Sequence, residues 1–530
     1  MSDLILPARP SLEQLKKQAK ELLESITRKD ASATALLRRH HPAGQKENQT
    51  FALHDAQLVL ARQYGFISWP KLKEAVERRT ADLPARIRRF VLDALNDNPR
   101  SLRRAWQVEP ELARANLWTR LATADLAGIR EALNKDHEWV TVRGGPRETW
   151  LPLHYVCFSR LQMENAESRH RFTEGARLLL DAGADPNASW EDSRWLGCPL
   201  SPLYGATGVN NNPELTRLLL ERGAEVNDGE SIYHSAQYHH VECMEVLREF
   251  GVSLGKHPRW ENTPLYFLLE AISPDSGDWP KTRLGVRWLL DHGCDPTIPC
   301  GSNGETALHT AIKTGHNDET IGWLLESGAD VNQADQRGVL AIALAHRLGR
   351  KNLVVMLKER GAQEVELTPN EQFFECAFSG DREGLQRVLR GHPALVESFT
   401  EDDRLALNRA SERGNVEAAK LLLEAGFDIA FKGTKDWGST PLHIAAWHGW
   451  ADMVEMLLAH GAPLDVKANK PEESLPLGWA AHGSSHCRNP QGDYPRLARA
   501  MLAAGGIPWP SITDMSSPEV AEIFHSALAG

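Results

Sequence analysis

Apolar residues recur along this chain at helical spacing and stop, again and again, at a glycine. LLLDAGADPNA breaks at Gly183, LLLERGAEVND at Gly223, WLLDHGCDPT at Gly293, WLLESGADVNQ at Gly328, LLLEAGFDIA at Gly426 and MLLAHGAPLDV at Gly461. With the weaker copies at Gly251, Gly361, Gly391 and Gly505, successive breaks lie 28 to 44 residues apart. A spacing near 33 with local insertions predicts a solenoid of small helical units rather than a row of independent globular domains. Gly328 and Gly461 are expected at positive φ, where glycine ends a helix without steric penalty.

A second motif opens each unit. STPLHIAAWHG around His443 is its cleanest copy and ETALHTAIKTG around His309 keeps the pattern. Weaker copies are WLPLHYVC at His154, CPLSPLYGA at Tyr204, SIYHSAQYH at His234, NTPLYFLL at Tyr266 and ESLPLGWAAHG at Leu477. Thr440 suits an N-cap, and Pro441 fits the first turn, where its missing N–H costs nothing. His154, His234, His309 and His443 are read as one repeated hydrogen-bonding element between turn and helix.

The combination, above all TPLHIAAWHGWADMVEMLLAHGAP, resembles ankyrin repeats over residues 84 to 505. The resemblance implies an all-α fold, an α-solenoid of about twelve helix-turn-helix units preceded by a small helical bundle. It also implies a noncatalytic scaffold that binds a protein partner through its concave face and the fingers between repeats.

Residues 11 to 79 follow another pattern. LEQLKKQAKELLESI has apolar positions 12, 15, 19, 22, 23 and 26 on one helical face, and three shorter helices follow. The expected organisation is a basic helical domain at 1–83, the solenoid at 84–510 and a C-terminal capping helix at 511–530, the last built on SSPEVAEIFHSAL. DAQLVLARQYGFISWPKLKEAVE resembles the segment that precedes ankyrin arrays in bacterial proteins.

Charge divides the chain further. Residues 1 to 104 carry 20 Lys+Arg against 12 Asp+Glu, whereas the remainder carries 40 against 59. An acidic body argues against general nucleic-acid binding, because each approach to phosphate works against its field. Only the N-terminal segment suits an acidic partner, and weak nucleic-acid association there is one rival reading. The seven cysteines, odd in number and scattered, do not form a secreted disulfide framework. With no long apolar run, the expected location is the cytoplasm, without a membrane partner.

Chemistry is sparse. Phosphate-loop, zincin and nucleophile-elbow motifs are absent. His292, Cys294 and Cys300 lack a fourth ligand, and His482, His486 and Cys487 read as a helix end and loop rather than a metal site. No catalytic residue, cofactor or metal is expected, although a site assembled across repeats, in an enzyme or enzyme regulator, is the other rival. What stands out is tryptophan in the polar turns. Trp190, Trp195, Trp260 and Trp437 are the partner-binding candidates, since Trp offers a large contact area with few rotatable bonds. Insertions at 159–171, 271–282 and 484–495 are expected to project as loops between the two helices of their units.

Overall fold

The computed structural model describes the chain except residues 1–3, 5, 8–9, 42–50, 67, 81, 96–108, 193–197, 273–275, 434–437, 470–473 and 529–530. Its contacts form two compact units: residues 1–137 with 143–150 and 525–530, and residues 138–142 with 151–524.

The first unit opens with the helix Leu12–Thr27, capped by the Ser11 side chain on the Gln14 amide. Its apolar stripe places Leu15 and Ala19 against Leu60, Ala61, Leu72 and Val76 in one small core. Ile26 joins Ala33, Leu37, Ala56 and Val59 in a second. Lys16, Lys17 and Lys20 stay exposed on the opposite face. The boundary expected at 83/84 falls inside this unit. The helix Leu83–Leu95 buries Phe90 and Val91 and packs on the turn Pro110–Arg114 and the helix Leu117–Ala122.

The second unit is an all-α repeat solenoid, with one short antiparallel strand pair, Trp190–Asp192 and Cys198–Leu200, among the described residues. Among the described residues, ten helix pairs follow one another from Pro152–Phe158 to Tyr494–Ala503, and Leu117–Ala122 with Leu126–Lys135 makes a further pair in the first unit. First helices pack on first helices and second on second, as in Pro441–His448 on Pro476–Ser485 and Ala451–Ala459 on Tyr494–Ala503. The leucine runs fill the space between: Leu421, Leu422, Leu457 and Leu497 are all essentially inaccessible.

Both repeated motifs have visible causes. Gly328 and Gly461 have φ of +93° and +84°, and open space surrounds the position a Cβ would take. Their helices therefore end by backbone geometry alone. In the turn that follows, Asp330 accepts from the Asn332 amide at 2.9 Å, while Asn332 donates to Gly361 O at 2.9 Å and accepts from the Gln363 amide at 2.8 Å. Asn187 makes the same two bonds to Gly223 and Glu225. One asparagine thus ties each of these two fingers to the next repeat.

At the other end of the unit, Val520 and Phe524 of the helix Pro518–Leu528 enter the buried cluster that holds Leu477 and Leu497. The Ser517 amide donates to Ser484 Oγ at 2.8 Å. The last repeat therefore does not end on a bare apolar face.

Candidate functional site

The opening histidines are structural, and their geometry shows why. His443 is fully buried, and its Nδ1 lies 2.7 Å from Thr440 Oγ1 and 3.2 Å from the Thr440 amide. Its Nε2 reaches Ser474 O, in the next finger, at 3.1 Å. His309 repeats every contact, with Thr306 on one side and Val339 O at 3.0 Å on the other. His154 bridges the Leu151 amide and Ala188 O in the same way. Burial drives the His443 pKa down to about 4, so its imidazole is neutral and acts as a clamp between units.

His234 does not belong with them. It is the fourth residue of the helix Ser231–Gln237, one place later than the others in theirs, so it turns about 100° around the axis. There it contacts Glu230 at 3.1 Å and Gln237 at 2.8 Å. Tyr233 takes the clamp position instead, and its hydroxyl donates to Asn262 O at 3.0 Å.

The turn tryptophans divide. Trp190 is only 9% exposed and lies edge-on to Phe158, with ring centroids 6.5 Å apart. Trp260 is half-buried, donates from Nε1 to Gly229 O at 3.0 Å, and is covered by the Arg259 guanidinium at 5.1 Å. Both therefore buttress the finger region. Trp195 and Trp437 lie outside the described residues.

The candidate metal clusters also resolve into ordinary contacts. His292 Nδ1 lies 2.8 Å from Trp288 O, and the thiols of Cys294 and Cys300 face the carbonyls of Leu254 and Ile298. His482 and His486 stack ring on ring at 3.8 Å, while Cys487 turns inward toward His448. Among the described residues, no group of three or more His, Cys, Asp or Glu is arranged to hold a metal ion.

Two of the three insertions meet. The Gly277 amide donates to Cys487 O at 2.8 Å, and Arg488 lies 3.2 Å from Asp278. Partners about 210 positions apart are thereby joined within the second unit.

Near that junction the first-helix face opens into a cavity of about 750 Å³. Three successive first helices form its wall: Ala406–Glu412 supplies Asn408, Arg409 and Glu412, Pro441–His448 supplies Ile444 and Trp447, and Pro476–Ser485 supplies Trp479 and His482. Each side chain points there because it lies off the buried stripe at helical spacing, while alanines such as Ala445, Ala446, Ala480 and Ala481 keep the helices close. Trp509, from the segment after the last pair, closes one side. Gly478 admits it, since a Cβ there would lie 3.1 Å from the indole. Glu270 reaches the rim from the much earlier helix Pro264–Ala271.

The aromatic wall is held in place. Trp479 donates from Nε1 to Ser474 Oγ at 2.8 Å and meets Trp447 edge-on at 6.1 Å. Arg409 is paired with Asp402 at 2.6 Å. His448 is driven down to about 4 by burial, and His482 is lowered by burial and by the neighbouring His486. Nothing in the opening motif signals the cavity. The available signal was a tryptophan in a first helix four residues beyond His443, where the copy at His309 has Lys313.

The family described as "Ankyrin repeats" matches in three copies across residues 282–368 and 373–485. These residues form an array of ankyrin repeats. The ankyrin repeat and KH domain-containing protein mask-1 of Caenorhabditis elegans is 29% identical over 247 residues, 46% of this chain and 9% of that protein. Transient receptor potential cation channel subfamily A member 1 of Homo sapiens is 24% identical, covering 48% of this chain and 30% of the channel subunit. Protein phosphatase 1 regulatory subunit 27 of Mus musculus is 34% identical over 99 residues, 18% of this chain and 63% of that subunit. The chain thus spans less than a third of the first two relatives. No helix among its described residues is long and apolar enough to cross a membrane.

Proposed function

We infer that this ankyrin-repeat protein is a noncatalytic binding module that holds a protein partner on the first-helix face of its second unit. The observation that carries the reading is the tryptophan-walled cavity of about 750 Å³, a size within the range of specific ligand sites. Tryptophan is enriched among the residues that dominate binding energy, and here three are collected on one face. Trp260, on a finger, is a secondary contact in this reading, whereas Trp190 acts from inside by holding its finger in shape. Ankyrin repeats in general mediate protein–protein interaction, and the regulatory subunit of protein phosphatase 1 is named for such a role.

The test is selection of binding peptides on the whole protein, with competition between the recovered peptides. Peptides that share one site, and that alter the fluorescence of the cavity tryptophans, support the reading. Peptides that bind only the separately expressed N-terminal residues would move the function to the basic segment.

A further inference from the structure

We propose that the two joined insertions are a brace that fixes the width of the cavity, with Asp278 and Arg488 as positioning residues for partner binding. The inference rests on the binding function above and says what holds that site in shape.

The brace joins the two stretches of chain that supply the cavity's most distant lining residues among the helices. Glu270 lies at the end of the helix Pro264–Ala271, and the first insertion follows directly. Trp479 and His482 belong to the helix Pro476–Ser485, and the second insertion runs on from it. Between those helices every repeat adds a small rotation, and small changes in each accumulate along a solenoid. The bond from the Gly277 amide to Cys487 O, at 2.8 Å, closes that accumulation just beyond Glu270 and just beyond His482. The same face approaches itself once more inside the span, where Arg413 donates to Lys313 O at 2.6 Å.

Each insertion is also anchored to the cavity wall or the rim. In the first, Trp279 packs on His316 with ring centroids 4.5 Å apart, and His316 Nε2 lies 2.9 Å from Leu269 O, beside Glu270. In the second, Asn489 donates to His448 O at 2.7 Å, the Asp493 amide to Gly449 O at 2.9 Å, and the Tyr494 hydroxyl to Trp447 O at 2.9 Å. A movement at the junction is thus passed to the backbone that carries the Trp447 indole.

Arg488 itself is held at a cost. Its φ is +49°, a region where the comparable turns of simpler repeats use Gly414 and Gly449, at +62° and +78°. A side chain in that conformation is disfavoured against glycine, and strain of this kind points to a task for the residue. Here the side chain reaches Asp278 at 3.2 Å across the junction.

The experiment uses the full chain, and its probe is a peptide selected on the wild-type protein whose binding alters tryptophan fluorescence. A Cβ on Gly277 would lie 3.2 Å from the Arg488 Cβ, a few tenths of an ångström short of a disulfide's usual separation, so Gly277→Cys with Arg488→Cys should cross-link on oxidation. The oxidised form is expected to bind the peptide within about two-fold of wild type and to keep that affinity in about 0.5 M salt. Arg488→Asp sets two carboxylates against each other and should weaken binding about five-fold, by lowering the fraction of chains with the competent width. Adding Asp278→Arg restores the pair and should bring affinity back within about two-fold. Urea unfolding should not distinguish these charge variants from wild type, because the pair is solvent-exposed. Failure to cross-link, wild-type affinity in Arg488→Asp, a loss that the charge swap does not restore, or weaker binding by the oxidised form than by the reduced one overturns the brace and leaves the binding function standing. A selection that yields no peptide at the cavity overturns the binding function and the brace with it.

Discussion

The repeats that open at Thr306 and Thr440 share one internal skeleton and present different outer surfaces. In both, a threonine and a buried histidine close the first helix and clamp the next finger, at nearly identical distances. Four residues beyond the histidine, the earlier repeat has Lys313, paired with Glu305 at 3.0 Å, and the later one has Trp447 on the cavity wall. Positions that face neighbouring repeats are constrained by packing, whereas the outward positions between them are free to carry recognition. The consequence is that stability should respond alike in the two repeats at the shared positions and binding should respond only in the later one.

The largest expected effect is acid destabilisation. His316 in the earlier repeat, and His443 and His448 in the later one, hold pKa values of about 4 against an ordinary 6.5, burial being the main cause in each. Arg350 adds to the lowering at His316 and Lys432 at His443. Above pH 6.5 both folded and unfolded imidazoles are neutral and stability is complete. Between 6.5 and 4 the unfolded chain binds protons that the folded one refuses, so stability falls, by on the order of 3 kcal/mol per histidine over the whole interval. With two such histidines against one, the later repeat should open first. Hydrogen exchange followed by mass spectrometry at stepwise lower pH checks this; simultaneous opening of the 306–338 and 440–469 segments would contradict it.

Next come the clamps. His309→Ala and His443→Ala each leave a buried threonine hydroxyl, an amide and a finger carbonyl without their partner, at a cost of about 2–4 kcal/mol. Urea unfolding should give the two variants losses within about 1 kcal/mol of one another. A large loss for one alone would show that the shared skeleton is not energetically shared. Smaller again, Gly328→Val and Gly461→Val place a β-branched residue at φ of +93° and +84° with no steric clash, so backbone strain alone costs about 1–2 kcal/mol. Because each repeat is stabilised by its neighbours, this loss should appear as a local transition.

How much of this was legible follows the same division. The helix-ending glycines other than Gly391, which closes the helix Arg382–Gly391 from inside without a positive φ, the clamp histidines in clean copies and the final helix at Pro518 were readable because one residue type answers one local constraint and recurs. The decayed copy at 231–238 was misread at His234, since a shift of one residue moves the clamp to Tyr233 and only the helix start at Ser231 reveals it. The packing of Leu83–Leu95 on Pro110–Arg114 and Leu117–Ala122 was not readable, because charge and periodicity do not report which helices meet. The cavity was invisible for a stronger reason. Its wall combines residues 270, 409, 447, 479 and 509, and the meeting of Gly277 with Cys487 depends on how many small rotations accumulate between repeats. Trp190 and Trp260 drew attention by their polar neighbours, yet a tryptophan in a finger packs on the next finger as readily as it faces a partner.

The smallest stability effect belongs to the outward position that distinguishes the two repeats. Trp447 is partly exposed, and its side chain touches Trp479 and His482 rather than the leucine core. The backbone bond at this residue, from the Tyr494 hydroxyl to Trp447 O at 2.9 Å, does not depend on the indole. Trp447→Lys, which copies Lys313, should therefore cost no more than about 1 kcal/mol in unfolding, with helical circular dichroism unchanged. Its effect on partner binding should be much larger, about 2 kcal/mol or more, because it removes one aromatic wall of the cavity. The reciprocal Lys313→Trp, at a residue outside the cavity lining, should leave binding unaltered. If Trp447→Lys lowers stability as much as His443→Ala does, the indole is part of the skeleton after all, and the separation of shared interior from specialised surface fails at the position where it was drawn.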